Sequence, residues 1–158
     1  SEMWYPRFRF AEALLIAAEA AYELGGTNKV KAVEYINRVR ARGGIKELTE
    51  STITFEHIVN EYRVEFAFED HRWWDLRRWR LAHTVWNGVI DSPTAQMYSL
   101  FPYKVYAPGS PYDGKWAFEK SRSYMAPNAR NFTMRCYYGS IDDGWINKNP
   151  KLVKNPLQ

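Results

Sequence analysis

Three glutamates recur at every fourth position in the middle of the chain, where they could perform acid–base chemistry. Glu61, Glu65 and Glu69 would form one stripe on a helix, because residues four apart lie on the same helical face. Paired carboxyl groups cleave glycosidic bonds, and retaining glycosidases hold the two groups about 5–5.5 Å apart. Helical neighbours can approach that separation, so a glycoside hydrolase is one hypothesis for this chain.

The same stripe can instead belong to a structural ion-pair network. Like charges at this spacing oppose each other by about 0.2–0.5 kcal/mol per pair, so positive groups should lie across them. Arginines interleaved with tryptophans follow the stripe directly, and such a segment must bury its ions in pairs. We therefore favour a structural network over a catalytic pair and predict no enzymatic activity. The expected members are Glu61, Glu65, Glu69, Arg72, Arg77 and Arg78.

Aromatic residues make up 16% of the chain, and those in turn-rich or strand-like sequence are candidates for sugar binding. A flat ring can cover the apolar face of a sugar, while a guanidinium group binds its hydroxyls. The alternative is that these rings only pin their segment to the helices. The candidates for glycan contact are Tyr112, Trp116, Arg122 and Tyr124. For the tryptophans in helical sequence, Trp73, Trp74, Trp79 and Trp86, we expect core packing for most.

Other kinds of site have little support in the sequence. The three histidines provide no close ligand pair, so we expect no metal and no cofactor. Cys136 is the chain's single cysteine, which excludes an internal disulfide and favours a small core residue. No phosphate-binding glycine loop or nucleophile elbow is present. The net charge of +4 lacks a groove-reading or stacking motif, so we expect no nucleic-acid partner.

The periodicity of apolar residues predicts four helices in the first part of the chain. Two helices over about 7–24 and 28–42 are separated by glycine and form a hairpin. Thr54 can cap a third helix, with Ile53 and Ile58 in the positions of a hydrophobic staple. A fourth helix should run from about residue 73 to 81 or 86. The longest apolar run is far shorter than the roughly 18 residues of a membrane span.

The second part of the chain has a different pattern. Residues 98–106 and 115–120 are strand-like around a strong turn at 108–114, and residues 131–138 alternate like a further strand. The closing Asn-Pro repeats favour an extended tail. We therefore predict a mainly α fold of two antiparallel helical hairpins, tetratricopeptide-like, with a C-terminal strand and loop arm. Residues 1–158 would be a single domain, with hairpins over 1–90 and the arm over 91–158.

Three segments resemble one protein family. Residues 61–79, EYRVEFAFEDHRWWDLRRW, resemble the signature helix of the SusD/RagB family. Residues 9–20, RFAEALLIAAEA, and 149–156, NPKLVKNP, are similar to a helix and to the closing motif of that family. Two departures occur, since Asp70 stands where the family usually has glycine, and the ending Pro156-Leu157-Gln158 replaces Pro-Gly-Tyr.

The resemblance implies a function and a setting. Members are non-catalytic glycan-binding lipoproteins on the extracellular face of the outer membrane, and they serve a SusC-like TonB-dependent transporter. Because members are much longer, this chain would be a C-terminal portion, attached to the membrane only through a lipid anchor upstream. The ligand would be an oligosaccharide. Besides the glycosidase, a tetratricopeptide-like scaffold that binds a protein partner stays open as an alternative.

Overall fold

The computed structural model describes residues 8–124 and 126–157. Their contacts divide them into two compact units, with the boundary between Asp75 and Leu76. The predicted class is confirmed, since the fold is mainly helical with one small two-stranded antiparallel sheet among the described residues. None of the described helices is both long and apolar enough to span a membrane.

The first unit is built on a helical hairpin. Helix α1 (Phe10–Leu24) and helix α2 (Lys29–Arg42) are joined by a short 3-10 turn, as the glycine between them predicted. Small side chains let the two backbones approach, because Ala18 of α1 and Ala32 of α2 are fully buried beside Leu15 and Ile36. Residue 7, the predicted start of the first helix, lies outside the described residues.

Helix α3 (Phe55–Glu65) begins at the predicted cap. The Thr54 hydroxyl accepts from the His57 backbone amide, and the Thr54 amide donates to His57 Nδ1, both at 3.3 Å. His57 therefore takes the role that glutamate or glutamine usually has in a capping box. Ile53 and Ile58 are both buried, as a staple requires, and α3 packs on α1.

The helix break after Glu65 corrects the expected three-glutamate stripe. Because α3 ends at Glu65, Glu69 lies in the following turn and not on the same helix as Glu61. Phe68 and Asp70 in this turn have left-handed backbone angles, with φ of 67° and 60°. Glycine adopts this conformation without strain, and aspartate is among the few other residues that tolerate it. Helix α4 (His71–Arg78) follows at once.

The helical sequence after Trp73 is more broken than predicted. Helix α4 ends at Arg78, Arg80 has a φ of 59°, and a short helix α5 (Ala82–Val85) follows. Trp73 and Trp74 are exposed, so the expected core packing is wrong for them. Trp86 is buried as expected, in a cluster of the second unit formed by Leu76, Ala82, Trp86 and Phe132.

Two strands form the sheet. Strand β1 (Tyr98–Lys104) pairs antiparallel with strand β2 (Trp116–Arg122), which confirms the two predicted strands and the turn between them. The hairpin ladder continues at both ends, where the Val105 amide donates to the Lys115 carbonyl and the Ser123 amide to the Met97 carbonyl.

The third predicted strand, over 131–138, is wrong. Only Asn131 forms a bridge, to Asn87, and residues Met134–Tyr137 form a 3-10 helix. The turn brings the Tyr137 ring edge-to-face against Phe132 at 4.8 Å, a contact that an extended strand cannot make five residues apart. Cys136 is consequently exposed, which corrects its assignment to the core.

The end of the chain is held by polar contacts. Asp142 caps a short helix α6 (Asp143–Lys148), because its side chain accepts from the Gly144 amide. Residues 149–157 contain no helix and include turns at 150–151 and 156–157, so the extended tail stays a prediction. The Asn155 amide donates to the Gly139 carbonyl, and Lys154 pairs with Asp143 at 2.8 Å.

The left-handed turn at Asp70 generates a stability prediction. We expect Asp70→Gly to raise the free energy of unfolding by about 0.5–1 kcal/mol, because glycine adopts a positive φ without steric cost. Chemical denaturation of both proteins measures the difference. As a control, Arg63→Gly on the exposed side of α3 should lower stability by roughly 0.5–1 kcal/mol through helix propensity. Destabilisation by both substitutions would contradict this account of the helix break.

Candidate functional site

The first glutamate of the stripe is buried against an arginine of helix α2. Glu61 is only 4% exposed, and its Oε2 accepts from Arg40 Nη1 at 2.6 Å. Arg40 also donates twice to the Lys46 carbonyl, at 2.6 and 2.9 Å, so its guanidinium is held from two sides. A carboxylate committed to a buried pair of this kind is poorly placed to exchange protons with a substrate.

The other two glutamates converge on Arg9, at the start of α1. Arg9 binds Glu69 through two parallel hydrogen bonds of 2.8 Å and donates to Glu65 Oε1 at 2.5 Å. Glu65 is also held by Arg42, at 2.5 and 2.7 Å. Hydrogen bonding to Glu69, and then to Glu65, raises the pKa of Arg9 further above its already high ordinary value. The acid stripe is thus occupied by guanidinium groups.

The arginines in these ion pairs are not the ones that the sequence singled out. Arg9, Arg40 and Arg42 come from the beginning of α1 and the end of α2, and each is distant in sequence from its partner. The Arg77 guanidinium donates to the Tyr137 carbonyl at 3.2 Å, and Arg78 lies over the Trp79 ring at 4.4 Å. The expected pairing of Arg72 with the acid stripe stays a prediction.

The β1–β2 hairpin presents the exposed aromatic surface of the second unit. Residues directly opposite in an antiparallel pair share a face, and alternate residues along each strand point to the same side. The register therefore defines one surface, which we call the tryptophan face: Tyr98, Leu100, Pro102, Lys104, Trp116, Phe118, Lys120 and Arg122. Leu100, Trp116 and Phe118 are 65%, 63% and 64% exposed on this face. Rings on such a face are available for stacking.

The four glycan-contact candidates lie along this hairpin and do not converge in one pocket. Trp116 and Arg122 are on the tryptophan face, at opposite ends of β2 and roughly 20 Å apart for six residues. Tyr112 is exposed in the turn, and Tyr124, 94% exposed, follows β2 beyond the buried Ser123. The sequence analysis missed Phe118 and Leu100, although the period of two from Trp116 to Phe118 could have indicated them.

A carboxylate anchors the base of the hairpin. Asp91 accepts from the Tyr98 hydroxyl at 2.6 Å and from Arg122 at 3.2 and 3.3 Å. The hydrogen bond from Tyr98, followed by that from Arg122, lowers the pKa of Asp91 below its ordinary value of 3.8. The same contact raises the pKa of Tyr98. Arg122 is therefore partly engaged within the protein, which reduces its availability as a glycan ligand.

In the described part of the chain, no three histidine, cysteine, aspartate or glutamate residues come together in a group that could hold an ion.

Comparisons with known proteins identify similar chains. A family model described as the SusD family matches residues 1–157. SusD-like protein P2 of Formosa agariphila is 36% identical over 101 residues, which cover 56% of this chain and 20% of that protein. The starch-binding protein SusD of Bacteroides thetaiotaomicron is 33% identical over 107 residues, covering 63% of this chain and 18% of that protein. The chain thus spans about one fifth of these relatives' length.

A solved structure shares the fold. Surface glycan-binding protein A from Bacteroides uniformis matches with a TM-score of 0.53 and 26% sequence identity. The match covers 96% of this chain and 27% of that protein, so it includes both the helical region and the hairpin region described above.

The buried ion pair generates a second stability prediction. We expect Glu61→Gln to lower the free energy of unfolding by about 3 kcal/mol, because Arg40 would keep a largely buried charge without its counter-ion. Arg42→Gln is the control, since the Arg42 side chain is 65% exposed and Glu65 retains Arg9; it should cost less than about 1 kcal/mol. Urea denaturation of the variants measures both changes. Equal small losses would contradict a structural role for the Glu61 pair.

The Asp91 contacts predict a pH dependence at the hairpin base. Because the folded pKa is lowered, the stabilisation from these contacts is present above pH 3.8 and is lost as the pH falls through the lower folded value. Carboxyl NMR titration should give a pKa for Asp91 below 3.8. Tyr98→Phe should raise that pKa more than Arg122→Gln does, because the tyrosine hydroxyl is the larger cause. The reverse order would contradict the assignment.

Proposed function

The chain belongs to the SusD family, and we propose that it is part of a non-catalytic, surface-exposed subunit that captures oligosaccharides. The subunit would work at the extracellular face of the outer membrane, anchored by a lipid, and would deliver its ligand to a SusC-like TonB-dependent transporter. Two similar proteins, one named a starch-binding protein and one a surface glycan-binding protein, support the ligand class.

The observation that carries this proposal is the exposed aromatic hairpin. Trp116 and Phe118 alternate along β2, so their side chains lie on one face at about 6–7 Å spacing along the strand. Both rings are about two-thirds exposed. Rings presented side by side on a strand suit an extended oligosaccharide, whose successive sugar units offer apolar C–H faces. Tyr112, at the turn, would lengthen this surface.

The state of the carboxylates supports a binding role without catalysis. Hydrolysis of a glycosidic bond requires a general acid and a second carboxylate that face the substrate. Glu61 is buried with Arg40, and Glu65 and Glu69 share Arg9. All three carboxylates are bonded to arginines, and the acids therefore act as structural partners of the helices.

The magnitude of the expected binding is modest. If each stacked ring contributes at most about 1.5 kcal/mol, three or four contacts reach a dissociation constant of only about millimolar to high micromolar. Weak capture with rapid release suits a protein that passes its ligand to a transporter. The helical hairpin α1–α2 would serve as scaffold and is the region we propose for contact with that partner.

Removal of the central ring should weaken glycan binding. We expect Trp116→Ala in the complete gene product to raise the dissociation constant for the best oligosaccharide about three- to tenfold. The oligosaccharide is chosen by array screening of the complete gene product with this chain alongside, and titration calorimetry measures the effect. Trp145→Ala is the matched control, because Trp145 is equally exposed, at 66%, but lies on α6 outside the hairpin.

Two outcomes would contradict the proposal. The complete gene product could bind no glycan on the array, which would favour a scaffold for protein partners. It could also release reducing sugar from a bound oligosaccharide, which would restore the glycosidase hypothesis. If glycan binding is present and Trp116→Ala leaves it unchanged, the binding role stands and the site lies away from the hairpin.

A further inference from the structure

The tryptophan face has a hydrogen-bonding character that restricts its ligand. Its polar side-chain groups are the ammonium groups of Lys104 and Lys120, the Arg122 guanidinium, the Trp116 indole N–H and the Tyr98 hydroxyl. Lysine, arginine and tryptophan side chains donate hydrogen bonds and cannot accept them. The hydroxyl donates to Asp91, which also binds Arg122. The middle of the face, between Lys104 and Lys120, therefore offers donors alone.

The charges on the hairpin are sorted between its two faces. All three ionised residues of the tryptophan face are cationic, while the carboxylate of β2, Glu119, alternates to the opposite face with Phe101 and Tyr103. Arg122 is neutralised by Asp91 at the hairpin base. Lys120 lies over the Tyr98 ring at 3.9 Å, which holds its ammonium group beside the aromatic surface. Lys104 stands directly opposite Trp116.

These two properties favour an acidic sugar over a neutral one. A neutral sugar presents hydroxyls that donate as well as accept, so it needs acceptors on the protein for its own hydrogens. A carboxylate or sulfate ester is an acceptor alone and carries the opposite charge, and lysine binds such groups as a point charge. Lys104 pairs with Trp116, and Lys120 lies four residues further along β2. The two lysines are therefore roughly 13 Å apart along the strand direction, with Phe118 between them. That span corresponds to a short oligosaccharide with acidic groups near both ends.

Resting on the carbohydrate-binding role proposed above, we propose that the tryptophan face binds an acidic oligosaccharide. Trp116 and Phe118 would cover the apolar faces of the sugar rings, while Lys104 and Lys120 would bind carboxylate or sulfate groups along its edge. The chemistry shared by these ligands is an anionic group on a pyranose ring. Uronic acids and sulfated sugars are its two sources.

The test compares ligands that differ only in charge. The probes are tetragalacturonate and its fully methyl-esterified form, and a sulfated galactan tetrasaccharide and its desulfated form, titrated into the complete gene product. We expect at least one acidic probe to bind about tenfold or more tighter than its neutral form, equivalent to about 1.4 kcal/mol. The preference should fall as sodium chloride rises from about 0.05 to 0.5 M, because salt screens exposed charges. The stronger acidic probe distinguishes carboxylate from sulfate.

The site is tested by matched lysine variants. Lys104→Gln with Lys120→Gln should remove the preference for the acidic probe while leaving the neutral form's affinity within about twofold. Lys148→Gln with Lys151→Gln is the matched control, because both lysines are exposed and lie outside the hairpin, one at the end of α6 and one shortly after it. It should leave the preference unchanged.

The outcomes separate this inference from the proposed function. Equal binding of acidic and neutral probes, or an acidic preference that survives the double substitution, would overturn the inference and leave a glycan-binding role intact. Absence of binding by any glycan, acidic or neutral, would overturn both. An acidic preference that is lost in the double variant and retained in the control supports both the inference and the proposed function.

Discussion

The first unit depends on the contacts that the Arg9 guanidinium group makes. Its nitrogen atoms donate to both carboxylate oxygens of Glu69, to the Glu65 carboxylate and to the Glu65 carbonyl. The last contact satisfies one of the carbonyls that the end of α3 leaves without a helical partner. Its planar face lies 4.7 Å from the Phe66 ring, which in turn stacks on His71 at 4.3 Å. One side chain thereby joins the start of α1, the end of α3 and the turn beyond it.

These contacts explain why the segment that carries Glu61, Glu65 and Glu69 has a structural role. A guanidinium group can hold two carboxylates at once because its donors form a fixed fork. Glu65 needs a second cation, which Arg42 supplies from α2, and Glu61 takes Arg40 from the same helix. The three glutamates therefore connect the start of α1, the end of α2 and helix α3. The second unit carries the exposed rings and lysines of the tryptophan face, where we propose that a ligand binds.

The sequence predicted what depends on local pattern and missed what depends on distant partners. The Thr54 cap, the glycine turn after α1 and the two strands follow from propensities within a few residues. Arg9 and Glu65 are 56 residues apart, and nothing near either one identifies the other. The alternating pattern of residues 131–138 wrongly predicted a strand, because Phe132 and Tyr137 pack together on the small core and the chain bends between them. Trp73 and Trp74 lie within α4, yet both are exposed, so the helical period did not identify which side of the helix is buried.

The hairpin carries apolar rings on both faces, and this has a consequence for binding. An isolated two-stranded sheet is marginally stable in water, and here Phe101 on one face and Phe118 on the other are both about two-thirds exposed. The Asp91 contacts fix its base, while nothing comparable covers its middle within the described residues. A ligand that binds the ordered strands and not the disordered ones stabilises them by mass action. If the tryptophan face binds the ligand that we propose, order in the hairpin and occupation of that face are thermodynamically linked, and each should increase with the other.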